Sequence, residues 1–455
     1  MSDSWSISFF GGVQTVTGAN FLLDSGGAKI LVDCGLFQGG ESAHRKNREP
    51  FSYDAASIST LLVTHAHADH IGRIPKLVRE GFRGTIYSTE ETRALGEIML
   101  ADTANILDRA ARQEGISPIY ERRDVASALS LWKTVDYHEE FEPVAGVKVF
   151  QRDAGHILGS TMFELKINGE KIAFTGDLGN SPSPLLPDTE TITDADYLVM
   201  ESVYGDRNHE PREKCREKLT AAIRDTIKRR GALLIPAFSL ERTQELLYEL
   251  NAMIEGGVVP TVPVFLDSPL AIKVTAVYEK SWFRFKPETR EEIKQGDNVF
   301  HFPRLLLTAK ARDSRAIERY PAPKIIIAGS GMSEGGRILS HEKRYLPGQE
   351  NMILLTGYQA PGTLGRLLAE GERSVTIDGE RIPVRAEVRQ IYGFSSHKDS
   401  NRLIEFVAST AETLKKAFLV MGEPKSSGFL AQRLRDYLGV NAVCPEVGQC
   451  ILLEF

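Results

Sequence analysis

The chain has 455 residues, 42% of them apolar and 25% charged, with a formal net charge of −6. That length suggests about three domain-sized units and allows a buried core without disulfides or a metal as staples. The charge excludes a polycation that would hold nucleic acid through its overall field, so any such binding must use a local basic groove. Four cysteines (Cys34, Cys215, Cys444, Cys450) without a CxxC pair point to a reducing compartment rather than a secreted disulfide framework. No basic segment precedes an apolar core at the N-terminus, and no apolar run is long enough to span a bilayer. The expectation is a cytoplasmic protein without a membrane partner.

Up to about residue 205 one pattern repeats, a short β-branched-rich run that ends in a polar loop. Residues 30–32 run into Asp33, 61–63 into His65, 172–174 into Asp177 and 197–200 into Glu201. Such runs read as buried strands, and polar residues that all follow strands can converge on one sheet edge. From about 206 the texture changes. Residues 213–228 carry helical spacing at Leu219, Ile223 and Ile227, closed by Arg229-Arg230-Gly231. Strand-like runs at 232–235, 262–266 and 324–328 alternate with helical stretches such as 241–253, which predicts a parallel α/β unit. From about 386 the strand-then-loop units return, 388–392 before Ser395-Ser396-His397 and 418–420 before Gly422. The expected segments are therefore 1–205, 206–385 and 386–455. Basic stretches at 44–48, 228–230, 310–319 and 337–344 each read singly as a solvated face.

The densest chemistry lies at His65-Ala-His67-Ala-Asp69-His70. Three imidazoles and a carboxylate within six residues, directly after a strand, can fold around divalent ions. His65 and His67 alternate along an extended segment and point the same way. Asp69 and His70 lie past the bend, within reach of a second ion. Zinc takes this mixture of nitrogen and oxygen ligands and leaves a position for water at catalytic sites. His156, in a Gly-rich loop after the strand 147–150, and Asp177, in Thr-Gly-Asp-Leu-Gly, are each unremarkable alone. Together they close the ligand set. The six residues make two overlapping sites that Asp177 can bridge, where ions would make water nucleophilic at neutral pH.

H-x-H-x-D-H together with Asp33, His156 and Asp177 resembles the metallo-β-lactamase superfamily. Residues 201–206 (ESVYGD), 235–242 (IPAFSLER), 267–270 (DSPL), 330–336 (SGMSEGG) and 393–397 (GFSSH) resemble its β-CASP branch. The resemblance runs over nearly the whole chain. It implies an α/β protein, a four-layer αββα metallo-β-lactamase sandwich interrupted by an inserted parallel α/β β-CASP domain. It also implies a zinc phosphodiesterase with two ions acting on nucleic acid, usually single-stranded RNA, as endonuclease, 5′-to-3′ exonuclease or both, and a possible homodimer through the metal domain. Asp33 then orients the metal ligands, and Asp69, Glu201 and His397 join it in the catalytic set. A carboxylate such as Glu201 that holds His397 protonated makes a general acid for the leaving oxygen. The Gly-rich turn Ser330, Gly331, Met332, Gly335 and Gly336 could hold phosphate through backbone N–H groups. Ser239, Arg242 and His341 are further candidates for the same contact.

One position departs from the pattern. Where the RNA-processing members carry a histidine at motif C, this chain has Leu419-Val420-Met421-Gly422-Glu423, and no histidine follows His397. A thioether is a soft ligand poorly matched to zinc beside carboxylates, so the second ion should be held more weakly. Met421 is equally able to pack apolar surface. An apolar residue at motif C also resembles the DNA-processing, Artemis-like group, whereas the 201–206 and 330–336 segments cover more positions and resemble the RNA-processing group. A catalytically weak RNA-binding partner in a processing complex is a third reading. It would show erosion of several ligands, and only one is altered.

Overall fold

The strand Ser6–Gly11 alternates half-buried and buried residues, so Ile7 and Phe9 face one core while their neighbours face outward. It lies near the edge of a seven-stranded sheet ordered Cys450–Leu452, Ser6–Gly11, Asn20–Asp24, Lys29–Val32, Thr60–Leu62, Thr85–Ser88 and Trp132–Thr134. A second seven-stranded sheet runs Ala442–Val443, Lys416–Val420, Tyr197–Glu201, Glu170–Phe174, Thr161–Ile167, Val147–Asp153 and Glu140–Val144. The computed structural model describes residues 5–360 and 362–454. Both sheets belong to a unit made of residues up to 208 and from 397, and residues 209–396 form a second unit.

Phe9, Phe21, Phe163, Phe174 and Phe418 fill the space between the two sheets. Each large apolar side chain buried there contributes about 1.5–3 kcal/mol. On the outer face of the second sheet, Ser400–Ala408 and Pro424–Leu438 press Leu403, Phe406, Leu430 and Leu434 onto Leu198, Met200 and Leu419. The outer face of the first sheet is covered by Ile74–Arg79 and the long helix Glu90–Glu114, whose Gly96 lies against Trp132. The layers are helix, sheet, sheet, helix. Thr60–Leu62 pairs in parallel with Lys29–Val32, and Glu170–Phe174 in parallel with Tyr197–Glu201, which pairs in parallel with Lys416–Val420. Val147–Asp153 is two antiparallel steps from Glu170–Phe174 and so runs the same way. The polar residues that follow these strands therefore leave at the carboxyl ends.

The second unit is a wholly parallel six-stranded sheet, ordered Leu305–Leu307, Val264–Leu266, Lys324–Ala328, Ala232–Pro236, Met352–Thr356 and Glu387–Ile391. Helices Arg212–Arg229 and Arg242–Glu255 occupy the stretches read as helical. The strand expected at 388–392 as part of the tail is Glu387–Ile391, and it completes this sheet beside Met352–Thr356. The return to the first unit falls at 396/397 rather than near 386. No helix among the described residues is long and apolar enough to cross a membrane.

Glu342 in this second unit is fully buried and accepts a hydrogen bond from the Ser333 hydroxyl. Burial pushes its carboxyl up to about 8. The folded chain thus holds a proton that the unfolded chain, near 4.5, has lost, so stability falls as pH rises from about 4.5 to 8. Glu342→Gln removes that loss and should raise stability at pH 8 by roughly 1–3 kcal/mol relative to pH 5. Thermal unfolding of the full chain at the two pH values checks it. A Tm difference between variant and parent that does not widen with pH would refute the assignment.

Candidate metal centre

The strand Lys29–Val32 ends at Asp33, whose backbone is in the left-handed region at φ 58°. The next residues are stitched to the short helix Ala68–Ile71: Cys34 N–H donates to His70 O at 2.7 Å, Leu36 N–H to Ala68 O at 2.8 Å and Arg73 N–H to Cys34 O at 2.8 Å. Gly35 is required here, because a Cβ would stand 1.5 Å from the Asp69 carbonyl oxygen. Gly176 serves the loop before Asp177 in the same way. At φ 53° it passes Thr64 so closely that a Cβ would meet the threonine side chain at 2.6 Å.

These loops bring five imidazoles and four carboxylates together. His67 Nδ1 lies 3.0 Å from His65 Nε2 and 3.3 Å from His156 Nε2. Asp177 Oδ2 is 3.4 Å from His65 Nε2 and 3.6 Å from His156 Nε2. On the other side Asp177 Oδ1 faces His70 Nε2 at 3.4 Å. Both of those atoms are buried without a hydrogen-bond partner among the described residues. The donor atoms of His65, His67, His156 and Asp177 lie within 4.8 Å of one another, and so do those of Asp177, Glu201 and His397. Asp69 is within electrostatic reach of His70, Asp177 and His65, and burial raises its pKa.

Burial lowers His65, with help from His70, and lowers His67 and His156 well below the usual imidazole value, with help from His65 and His397 respectively. Neutral rings this close can share a proton between only some of these nitrogens, and a cation at their centre would satisfy every lone pair. Asp177 is held well below the usual carboxylate range: burial opposes this, and His70, His397 and His65 prevail. The donor set therefore suits a divalent ion.

Asp33 fixes how the rings are presented. Its Oδ2 takes the His70 Nδ1 proton at 2.7 Å and the Thr64 hydroxyl at 2.8 Å, and its Oδ1 takes the Thr64 N–H at 2.8 Å. With its proton given to Asp33, the Thr64 oxygen accepts from His65 Nδ1 at 3.1 Å. One buried carboxylate thus orients the rings of His65 and His70 and turns both Nε2 atoms toward Asp177. Thr64 is absent from the sequence-derived set. A threonine before a histidine-rich turn carries no spacing signal of its own.

Glu201, fully buried at the end of its strand, accepts the Leu178 N–H at 2.6 Å and faces His397 Nδ1 at 3.2 and 3.3 Å. Burial opposes a charge on His397, yet Glu201 and then Asp177 raise it to about 9. His397 Nδ1 is 4.0 Å from Asp177 Oδ2, and its ring centre is 4.5 Å from that of His156.

The remaining candidates are Met421 in the first unit and a set in the second. Met421 is buried in the inter-sheet core, and its sulfur packs on Gly12. It also lines a small cavity with Asp33, Thr64 and His70. In the second unit, Ser239 and the turn residues Ser330, Gly331, Met332, Gly335 and Gly336 follow the parallel strands, with Gly331 backing the exposed ring of Phe238. Arg242 is buried and pairs with Glu245 at 2.9 Å, and His341 is buried and pairs with Asp267 at 2.8 Å.

Three family profiles match the chain: the metallo-beta-lactamase superfamily over residues 15–232, the Beta-Casp domain over 243–368 and the Zn-dependent metallo-hydrolase RNA specificity domain over 381–445. Ribonuclease TTHA0252 of Thermus thermophilus is 38% identical over 399 residues, which cover 88% of this chain and 89% of that protein. The chain belongs to the β-CASP metallo-β-lactamase family. It thereby belongs to a family of metal-dependent hydrolases. An RNase J-like protein of Methanocaldococcus jannaschii in that family is 31% identical, over 97% of this chain and 98% of its own length. Transcription termination factor FttA of Thermococcus kodakarensis is 32% identical, over 98% of this chain and 71% of its own. A protein of unknown function from Enterococcus faecalis, 13% identical, shares the fold at a TM-score of 0.57 over 99% of this chain and 100% of its own.

Thr64→Val keeps the volume of the side chain and deletes the hydroxyl between Asp33 and His65. Loss of such an outer partner typically weakens metal affinity roughly 10–100-fold. Chelator competition followed by elemental analysis should show that drop with the circular dichroism spectrum unchanged. Unaltered retention of metal would overturn the orienting role.

Proposed function

We propose that the chain is a zinc-dependent ribonuclease that hydrolyses phosphodiester bonds of single-stranded RNA, as endonuclease, 5′-to-3′ exonuclease or both. One observation carries the reading: a carboxylate–histidine pair, Glu201 and His397, stands beside a four-donor cluster at 4.0 Å from Asp177. The names of the relatives, ribonuclease and RNase J-like protein, support RNA as the substrate.

His65, His67, His156 and Asp177 would hold one ion. The separations of 3.0–3.6 Å between neighbouring donors suit the about 3.3 Å edge of a tetrahedron with bonds of about 2.0–2.1 Å. Asp69, His70 and Asp177 would hold a second. Divalent ions there supply Lewis acidity and a water that is nucleophilic at neutral pH. The chain's own groups do the rest. Asp33 and Thr64 keep the ligand rings in register. Glu201 holds the Nδ1 proton of His397 and favours the imidazolium, which makes Nε2 the atom that delivers a proton to the leaving oxygen. Ser239 and the backbone of 330–336 steady the phosphate chain. A pair of chains joined through the metal domain is part of this reading, in keeping with the exposed edge strand Cys450–Leu452.

The deciding measurement combines elemental analysis with cleavage of a 5′-labelled single-stranded RNA by the same sample. Near two zinc ions per chain with cleavage is the expected result. His67→Ala or Asp177→Ala should lower turnover well beyond the roughly 10–100-fold cost of losing an outer partner, with the fold retained. Near-parental turnover in either variant would sink the two-metal account. RNA bound but uncut, with one ion or none, would make the chain a binding partner.

Met421 favours one second reading, a DNA nuclease, through the apolar character of motif C; matched RNA and DNA oligonucleotides separate the two. The same residue makes the second ion site the weaker one. Its φ of 49° is a conformation that histidine tolerates better than most side chains, and its side chain borders the cavity beside His70. Met421→His should therefore tighten the second ion roughly tenfold, read by stepwise metal titration. An unchanged second step would show that position 421 does not reach the ion.

A further inference from the structure

Lys398 directly follows His397 and is 6% exposed, yet among the described residues it has no carboxylate at ion-pair distance. Burying an ammonium without a counter-ion is costly, and removing the charge by evolution would be simple. Its one hydrogen bond runs from Nζ to the Gly179 carbonyl oxygen at 2.8 Å. Its backbone N–H donates to Leu178 O at 2.9 Å, and Gly179 forms an isolated antiparallel bridge with His397.

Gly179 is also the point where three segments meet. Its N–H donates to Ala154 O at 2.8 Å, and a Cβ on it would stand 1.9 Å from Gly155 O. The Thr189 hydroxyl bonds both Ala154 O, at 2.8 Å, and Gly179 O, at 3.2 Å. The 154–156 loop carries His156, the 177–179 loop carries Asp177, and the 397–398 segment carries His397. An isolated antiparallel bridge leaves a segment able to pivot. A further contact, from a charged donor, removes the pivot, and charge-assisted hydrogen bonds are about twice as strong as neutral ones.

We infer that Lys398 is a positioning residue for proton transfer: its ammonium on Gly179 O locks the His397 segment against the Asp177 loop. The inference rests on His397 as the proton donor to the leaving oxygen. A displacement of about 1 Å in such a group can cost on the order of 100-fold in rate. The uncharged, apolar variant Lys398→Met should lower kcat 10–100-fold with KM and metal content unchanged. Its Tm should hold or rise, because a buried charge has been removed. Lys398→Gln keeps an N–H donor of similar reach and should recover most of the lost kcat.

A substrate whose bridging leaving oxygen is replaced by sulfur isolates the proton step, since a thiolate leaves without protonation. On it the defects of Lys398→Met and of His397→Ala should both shrink to within about threefold of the parent chain. If neither defect shrinks, the general-acid reading of His397 falls, and this inference with it. If sulfur rescues His397→Ala but leaves Lys398→Met slow, Lys398 does not act through His397. A fall in Tm that tracks the loss of kcat, without recovery in Lys398→Gln, would reduce the residue to a structural tether.

Discussion

Everything at the centre hangs on a buried carboxylate that no lysine or arginine among the described residues pairs with. Asp33 is 1% exposed, and its charge is met by three donors: the Thr64 N–H, the Thr64 hydroxyl and His70 Nδ1. Left unpaired, a buried carboxylate would cost several kcal/mol, so each donor is held where Asp33 needs it. That demand fixes the Thr64 backbone, hence the exit of the His65–His70 segment from its strand. It also fixes ring orientation at His65 and His70. The left-handed turn at Asp33 and the bare Cα of Gly35 allow this approach. On the proposed reading, the metal ligands are therefore preorganised by a group that is not one of them.

Opposing electrostatic demands are arranged around the second carboxylate, Asp177. Three imidazoles are driven toward neutrality by burial, while His70 and His397 are driven toward the cation by neighbouring carboxylates. On the proposed reading this sorting has a use. Neutral rings offer lone pairs to an ion, His70 would give up a proton to ligate a second, and a ring held against Glu201 keeps a proton for the leaving group. Titratable groups pushed apart in this way mark an acid–base division of labour.

Much of this was legible because the chemistry sits at strand ends. Apolar runs ending at Asp33, His65, Asp177 and Glu201 placed those residues on a shared edge, since strand direction is all that convergence needs. The insert's alternation of strands and helices was equally readable. Its far boundary was not. The strand Glu387–Ile391 has the same strand-then-loop texture as the metal-domain strands, and only its pairing with Met352–Thr356 assigns it. The 25-residue helix Glu90–Glu114 left no clear stripe either. Its buried face includes Thr92, Gly96, Ala104 and Ala111, small residues that allow close packing without strong hydrophobic periodicity. Thr64 and Lys398 escaped for another reason: their importance lies in what they bond across the fold, at residues 33 and 179.

Met421 stands where the RNA-processing members that the chain resembles carry a histidine. Motif C follows the strand Lys416–Val420, which pairs directly with the strand ending in Glu201, so the position borders the metal centre by topology. Yet its sulfur packs on Gly12, and its backbone N–H donates to Gly12 O at 2.5 Å. The side chain joins the apolar core between the sheets instead of the donor cluster. What is lost is one donor on the side of the cluster nearest His70. What is kept is the set His65, His67, His156 and Asp177, together with Glu201 and His397. On the proposed reading the two halves of the centre are thus unequal in donor number, which makes the second ion the more weakly held. The half that keeps its full set is also the half that faces the histidine held by Glu201.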